Sequence, residues 1–213
     1  MIRKPAGRGL FITFEGGEGA GKSTQAARCA GYLAERGHEV VATREPGGTP
    51  TAERLREILL DATVDLDPLE QVLVLYAARH NHVTGVIRPA IERGAIVVCD
   101  RFSDSTRAYQ GAAGGVDAAA IDAMEMLALG GFGPDLTLVL DAPVETGFAR
   151  VRDRGGLADR FEGQENAFHR RLRQGFLDIA AAEPERCRVI DATGGPDAVW
   201  QSVRAALDAA LET

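Results

Sequence analysis

Residues 16–23 read Gly16-Gly17-Glu18-Gly19-Ala20-Gly21-Lys22-Ser23, a G-x-x-x-x-G-K-S spacing. That spacing is the pattern of a phosphate-binding loop when a strand precedes it and a helix follows. Leu10 to Phe14 is short, apolar and β-prone, which predicts a buried strand. Lys22 to Arg36 is Ala-rich with apolar residues at helical spacing, which predicts a helix. Glycines let several backbone N–H groups point into one concavity, and the helix N-terminus adds unpaired donors and partial positive charge. Lys22 is then placed to reach the β- and γ-phosphates of a nucleotide, and the Ser23 hydroxyl to ligate Mg²⁺.

Working outward, the same pattern repeats along the 213 residues. Short apolar runs at Glu39–Thr43, Ala95–Cys99, Leu136–Leu140 and Arg188–Ile190 predict strands. Between them, helices are predicted at Thr49–Asp61, within Pro68–Arg93, and at Asp117–Leu129, Pro143–Arg154, Gln164–Glu183 and Pro196–Leu211. Leu55, Ile58 and Leu59 fall on one face of the second helix, and Pro89 kinks or restarts the third. Arg44 to Thr49 is a loop dense in Pro and Gly, and Gly111 to Gly115 loosens the chain. Alternating strands and helices predict an α/β fold, a single parallel sheet covered by helices on both faces. Ligands then bind beyond the carboxyl ends of the strands. The glycine-rich loop, Arg44-Glu45, Asp100-Arg101 and Asp141 all follow strands and are expected on one rim.

Composition narrows the partners. The formal net charge of −7 argues against a general binder of nucleic-acid backbone, which wants a basic face. Three scattered cysteines, Cys29, Cys99 and Cys187, show no C-x-x-C pair and read as reduced, buried filler. The apolar run after Arg3, Lys4 and Arg8 is too short for a signal-peptide core, and no stretch is long enough to span a membrane. A cytoplasmic protein with no membrane partner is the expectation.

Two constellations carry chemistry. Asp100, at the end of a buried strand across from the glycine-rich loop, suits a Mg²⁺ ligand, with helix capping as its bland alternative. For Asp141 the structural role is preferred. Arg44, Arg56, Arg79 and Arg101 flank the rim, and Arg150, Arg152, Arg154 and Arg160 surround Gly155-Gly156. Guanidinium groups bind phosphate bidentately, and arginines beside a Gly-Gly hinge can close as a lid. His80 and His82 are spaced wrongly for one helix face and receive no role, nor do His38 and His169.

These residues together resemble the bacterial thymidylate kinase family along nearly the whole chain. FEGGEGAGKST is similar to its P-loop, TREPGGT to its second strand and loop, and YAAR to its base-binding helix. DRFSDSTRAYQG is similar to the family's D-R-x…S…A-Y-Q-G segment, and RGGLADRFE to its lid. The resemblance implies a P-loop NTPase-type three-layer fold with strand order 2-3-1-4-5. It implies one nucleoside monophosphate kinase domain over residues 1–213, with a lid at about 150–164, and a homodimer. The implied reaction is transfer of the γ-phosphoryl of ATP to dTMP, with Mg²⁺ as cofactor.

Residue by residue, the resemblance assigns ATP to Gly16, Gly17, Glu18, Gly19, Ala20, Gly21, Lys22, Ser23 and Thr24, and Mg²⁺ to Ser23 and Asp100. Arg101 holds the acceptor phosphate. Glu45, Arg56 and Tyr109 line the deoxyribose-phosphate end, with Tyr109 crowding a 2′-hydroxyl, and Pro46 and Ser105 also belong to the substrate site. Arg79, Thr106 and Gln110 meet the thymine; Arg152, Arg154 and Arg160 are the lid arginines. Glu18 in the P-loop beside an arginine-rich lid matches the lid-arginine class. Leu75 stands where the family has a phenylalanine that stacks on thymine, with Tyr76 beside it. Two other readings stay open: a P-loop kinase of another monophosphate such as dUMP or CMP, and a nucleotide-binding module without net catalysis. The sequence also leaves open whether Glu18 works through its carboxylate or fills the loop.

Overall fold

Phe11–Glu15, strand β1, is buried at every residue because it lies at the centre of a sheet covered on both faces. In this computed structural model, which describes residues 8–153 and 166–211, β1 is flanked by β2 (Val40–Arg44), β3 (Ile96–Asp100), β4 (Leu136–Asp141) and β5 (Cys187–Asp191). The order is β2-β3-β1-β4-β5, all neighbours parallel, as the resemblance implied. Edge strand β5 is only partly covered, and Val189 on it is exposed.

Side chains alternate across the sheet. Ile12, Phe14, Val98 and Leu138 face the helices α1 (Lys22–Glu35) and α9 (Pro196–Leu211), packing with Leu33, Val203 and Leu207. Phe11, Val97 and Cys99 face the opposite layer, where they meet Tyr76 of α3 (Pro68–His82) and Ile121 of α6 (Ala118–Leu129). Val139 packs with Leu172 and Phe176 of α8 (Asn166–Ala182). All three cysteines are free and buried, and burial pushes the Cys29 thiol up to about 12.

Three expectations shift. In α2 (Pro50–Leu60), capped by Thr49, the buried face is Ala52 and Leu59, while Ile58 points out at 42% exposure. The irregularity attributed to Pro89 begins earlier, in a π-helical turn over Val83–Ile87 that joins α3 to α4 (Arg88–Glu92). Proline removes one N–H and crowds the carbonyl four residues back, so the distortion falls on the turn before it. The third shift is at Ser103–Thr106 (α5) and Arg107–Ala113, which form a helix and a π-helical turn where no helix was predicted and the chain was expected to loosen from Gly111. Ser, Asp, Thr and Gly are poor helix formers, and the segment is held instead by packing of Ala108, Tyr109 and Ala113 on α8. Among the described residues no helix is long and apolar enough to cross a membrane.

A polar column runs through the sheet beneath the rim. Thr13 and Thr137 bond through their hydroxyls at 2.8 Å. Arg186 donates to Thr137 at 2.7 Å and grips Asp104 with both terminal nitrogens at 2.6 and 2.8 Å. Asp104 is 3% exposed, so removing it takes away the buried one of Arg186's two carboxylate partners and leaves only the more exposed Glu183 at 2.7 Å. Asp104→Ala is expected to cost about 3 kcal/mol, because breaking one side of a buried pair is strongly destabilising. Urea unfolding checks this, and a shift under about 1 kcal/mol would make the pair a surface-type contact.

Candidate active site

The carboxyl ends of β1, β2 and β3 open into one cavity of about 290 Å³. Its walls bring together Glu18, Gly19, Gly21, Lys22, Ser23 and Thr24 of the glycine-rich loop with Glu45, Pro46, Arg56, Leu75, Arg79, Asp100, Arg101, Ser105, Thr106, Tyr109 and Gln110. These residues span much of the chain but meet because each follows a strand or lies on a helix packed over the rim. Gly17 and Ala20 line a smaller hollow against α7 (Val144–Asp153) instead, and Gly16 lies buried at the loop's start. Of the lid arginines, Arg152 is exposed on α7; Arg154, Arg160, Gly155-Gly156 and most of the expected lid at 150–164 lie outside the described residues.

The loop's glycines have specific work. Gly21 caps α1 in a left-handed conformation, φ 94°, with no side chain on the helix's first N–H groups, so these donors remain for an anion. At Gly19, φ is 68° and an added Cβ would lie 2.0 Å from the Gly147 carbonyl oxygen of α7, so only glycine fits. Lys22 Nζ donates to the Gly17 carbonyl at 2.7 Å. Burial, with Arg101 adding repulsion, pushes the Lys22 ammonium down to about 8.

Ser23 Oγ donates to Asp100 Oδ2 at 2.5 Å. Asp100 Oδ1 is buried and has no hydrogen-bond partner among the described residues. Helix α5 begins behind Phe102 without a side-chain cap, so Asp100 is not a capping residue. A hydroxyl beside an orphaned carboxylate oxygen fits a hard divalent cation that completes its shell with phosphate oxygens and water. No group of three or more His, Cys, Asp or Glu that could hold a metal occurs among the described residues, so phosphates would have to supply the remaining ligands. Asp141 takes the structural role: Arg173 donates to both its oxygens at 2.6 and 2.8 Å, tying β4 to α8.

Arg101 joins the two halves of the cavity. Its φ is 72°, the left-handed region, and its N–H is held by the Phe14 carbonyl at 3.0 Å. Its guanidinium donates to Glu18 at 2.8 Å and lies over the Tyr109 ring, 4.9 Å from the centroid. Tyr109 also donates its hydroxyl to Glu18. Glu18 thus acts through its carboxylate: burial alone would raise it, but Arg101 and Lys22 outweigh that and hold it at about 2. Behind Arg101, fully buried Glu15 accepts from Phe102 N at 2.7 Å and from the Ser105 hydroxyl at 2.6 Å. Burial, with Asp104 nearby, pushes the Glu15 carboxyl up to about 7. Glu15 was not a candidate, although a carboxylate ending an apolar strand just before Gly16 was visible in the sequence.

At the other end, Arg79 is 2% exposed and donates to Glu45 at 2.6 Å and to Phe102 O and Thr106 Oγ1 at 3.1 Å. Its Nη1 is buried with no partner among the described residues. Glu45 serves as the anchor of Arg79, and His82, 0% exposed, holds it from behind at 3.0 Å while bonding Thr43 at 2.8 Å. The histidine given no role is therefore part of this wall; its spacing from His80 carried no signal because its partners are Thr43 on β2 and Glu45 just beyond it. Arg56 donates to the Pro46 carbonyl at 2.8 Å. Leu75 lines the cavity, whereas Tyr76 turns away and donates to Glu125 of α6 at 2.9 Å, so it offers no ring in Leu75's place. Arg150 donates to the carbonyls of Ala192, Thr193 and Gly194 at 2.8, 2.9 and 2.8 Å, binding α7 to the turn before α9.

Comparison with known proteins points one way. The model of the thymidylate kinase family matches residues 14–203. A thymidylate kinase of Caulobacter vibrioides is 55% identical over 197 residues, 92% of this chain and 94% of that protein. One from a Bradyrhizobium strain is 48% identical over 217 residues, 99% of this chain and 96% of its own. The crystal structure of a thymidylate kinase from Ehrlichia chaffeensis superposes with a TM-score of 0.77 at 37% identity, covering 94% of this chain and 99% of that one.

The Glu15 shift makes a pH prediction. The folded carboxyl, at about 7, binds its proton more tightly than the unfolded one near 4.5, so its stabilising contribution is complete below 4.5 and is lost as pH rises through 7. Wild-type stability is expected to fall across that window relative to Glu15→Gln. Urea midpoints measured at several pH values check this; parallel profiles for the two proteins contradict it.

Proposed function

The chain belongs to the thymidylate kinase family, and from that premise we propose how its residues carry out transfer of the γ-phosphoryl group of ATP to dTMP, giving dTDP and ADP for nucleotide synthesis. The observation that carries the reading is one cavity with Lys22 and the P-loop at one end and the unpartnered Arg79 Nη1 at the other. Phosphates belong at the first end and a nucleobase at the second.

ATP phosphates take the free N–H groups of the Gly16–Thr24 loop and the Lys22 ammonium. Ser23 and Asp100 would hold Mg²⁺, which would supply neutralisation of phosphate charge. Arg101 holds the acceptor phosphate, with Arg56 and Ser105 beside it. Pro46 and Tyr109 border the deoxyribose, and Tyr109 crowds a 2′-hydroxyl. Arg79, Thr106 and Gln110 meet the base, with Leu75 against its face and Glu45 fixing Arg79. Arg152, Arg154 and Arg160 close over the transferring group from a lid at about 150–164. The acceptor phosphate has a second pKa of about 6 and is mostly dianionic at pH 7, so no strong base is required. Catalysis is then positioning and charge neutralisation.

The same reading takes residues 1–213 as one kinase domain, located in the cytoplasm, without nucleic-acid or membrane partners. It takes the chain as a homodimer, supported by exposed Leu69 and Leu73 on α3 and Met126 and Leu127 on α6, two helices packed together. The retained Lys22, Asp100 and Arg101 favour catalysis over a silent binding module.

Lys22→Ala is expected to lower kcat by about 10²–10³-fold with the fold intact, since it removes a phosphate-neutralising group whose burial is itself unfavourable. ADP release with dTMP, dUMP, dCMP, UMP, CMP, AMP and GMP tests the acceptor. Preference for another monophosphate would move the specificity, and silence with ATP still bound would favour the module. Leu75→Phe adds a ring, and an aromatic stack contributes about 0.5–1.5 kcal/mol, so KM for dTMP is expected to fall about two- to ten-fold. An unchanged KM in steady-state assays would mean that residue 75 does not face the base.

A further inference from the structure

Gln110 reaches the cavity wall with only half of its amide committed. Its Nε2 donates to Gln71 Oε1 at 3.0 Å, and Gln71 Nε2 donates in turn to the Leu66 carbonyl at 2.9 Å. Both glutamines are buried, at 3% and 8% exposure, and Gln71 lies on α3 outside the cavity lining. The direction of this chain is forced from its far end. A backbone carbonyl only accepts, so Gln71 must turn its nitrogen toward Leu66. Its oxygen therefore faces Gln110, which must answer with nitrogen. Gln110 Oε1 is left as the end of the amide that Gln71 does not engage, an acceptor at the wall.

Arg79 supplies the complement. Its Nη1 is a buried donor without a partner among the described residues, and its Nη2 is tied to Thr106, four residues before Gln110. The wall thus presents an acceptor beside a donor. A 4-keto pyrimidine carries an N–H at ring position 3 beside a carbonyl and matches this pair. A 4-aminopyrimidine carries a ring nitrogen lone pair beside an amino group and opposes both members.

We propose that Gln71 is a specificity-determining positioning residue: it locks the Gln110 amide with its nitrogen turned into the protein, and so makes the cavity select a 4-keto over a 4-aminopyrimidine monophosphate. This rests on the reading of Gln110 and Arg79 as base-binding residues. Freeing Gln110 lets its nitrogen turn outward and offer a donor to the wrong base. A site whose polar groups are fixed rejects a mismatched ligand because those groups are left unpaired, whereas one that rotates adapts.

Two substitutions separate this from a merely structural role. Gln71→Leu removes the acceptor that fixes Gln110. Gln71→Glu keeps an acceptor toward Gln110 but sets a carboxylate oxygen against the Leu66 carbonyl. The readouts are kcat and KM for dTMP, the inhibition constant of dCMP against dTMP, and Tm. Gln71→Leu is expected to lower the ratio of the dCMP inhibition constant to the dTMP KM by about ten-fold, with kcat within about two-fold of wild type. Gln71→Glu is expected to keep the wild-type ratio within about two-fold while melting lower than Gln71→Leu. In a Gln110→Ala background, Gln71→Leu should move the ratio no further. A wild-type ratio in folded Gln71→Leu overturns the proposal, as does a Gln71→Glu ratio that falls as far as that of Gln71→Leu. Absence of dTMP turnover in the wild type would instead remove the reading of the function itself.

Discussion

The site depends on carboxylates placed where carboxylates are costly. Glu15 and Glu18 bracket the first turn of the P-loop, Glu15 buried behind it and Glu18 facing Arg101. Glu18 is ionised because Arg101 and Lys22 are near; Glu15 is driven toward its neutral form because burial and Asp104 outweigh its hydrogen bonds. Between them they hold the turn at Asp100–Phe102, including the left-handed backbone of Arg101. Half of the phosphate machinery follows β1 and half follows β3. Parallel pairing places the two strand ends side by side, with Phe14 opposite Asp100 in register. The carboxylates convert that proximity into fixed geometry.

Arg101 illustrates the balance. In an acidic chain the cationic groups at the rim must be concentrated locally, yet Lys22 and Arg101 repel one another. Glu18 lowers that repulsion in the free protein, and Tyr109 completes the contact from the other side. Anionic substrates entering the cavity meet cations already oriented, so little reorganisation accompanies binding.

The sheet was legible because its signals are local. Each strand is a short apolar run, the first three lead into the functional residues of the rim, and the observed strands begin or end within a residue or so of the expected bounds. What escaped was set by tertiary contact. The helical turn at Ser103–Ala113 has weak propensity and forms because Tyr109 and its neighbours pack on α8. Tyr76 stands beside Leu75 in the sequence, but α6 draws it away toward Glu125. The assigned residues gathered as expected where motifs were dense, from Lys22 to Gln110.

The supporting residues show why the remainder was illegible. His82, Gln71 and Glu15 contact no expected substrate atom, so substrate chemistry places no demand that a motif would display. Each acts through a partner distant in sequence: Glu45 for His82, Gln110 for Gln71, Ser105 for Glu15. Only the fold states who the partner is. Yet these contacts decide what the legible residues present, since a guanidinium needs its carboxylate to aim it and an amide needs a fixed neighbour to choose which end faces out. Motifs therefore identify the groups that touch phosphate and base, whereas the polarity and orientation of those groups are set one layer further back.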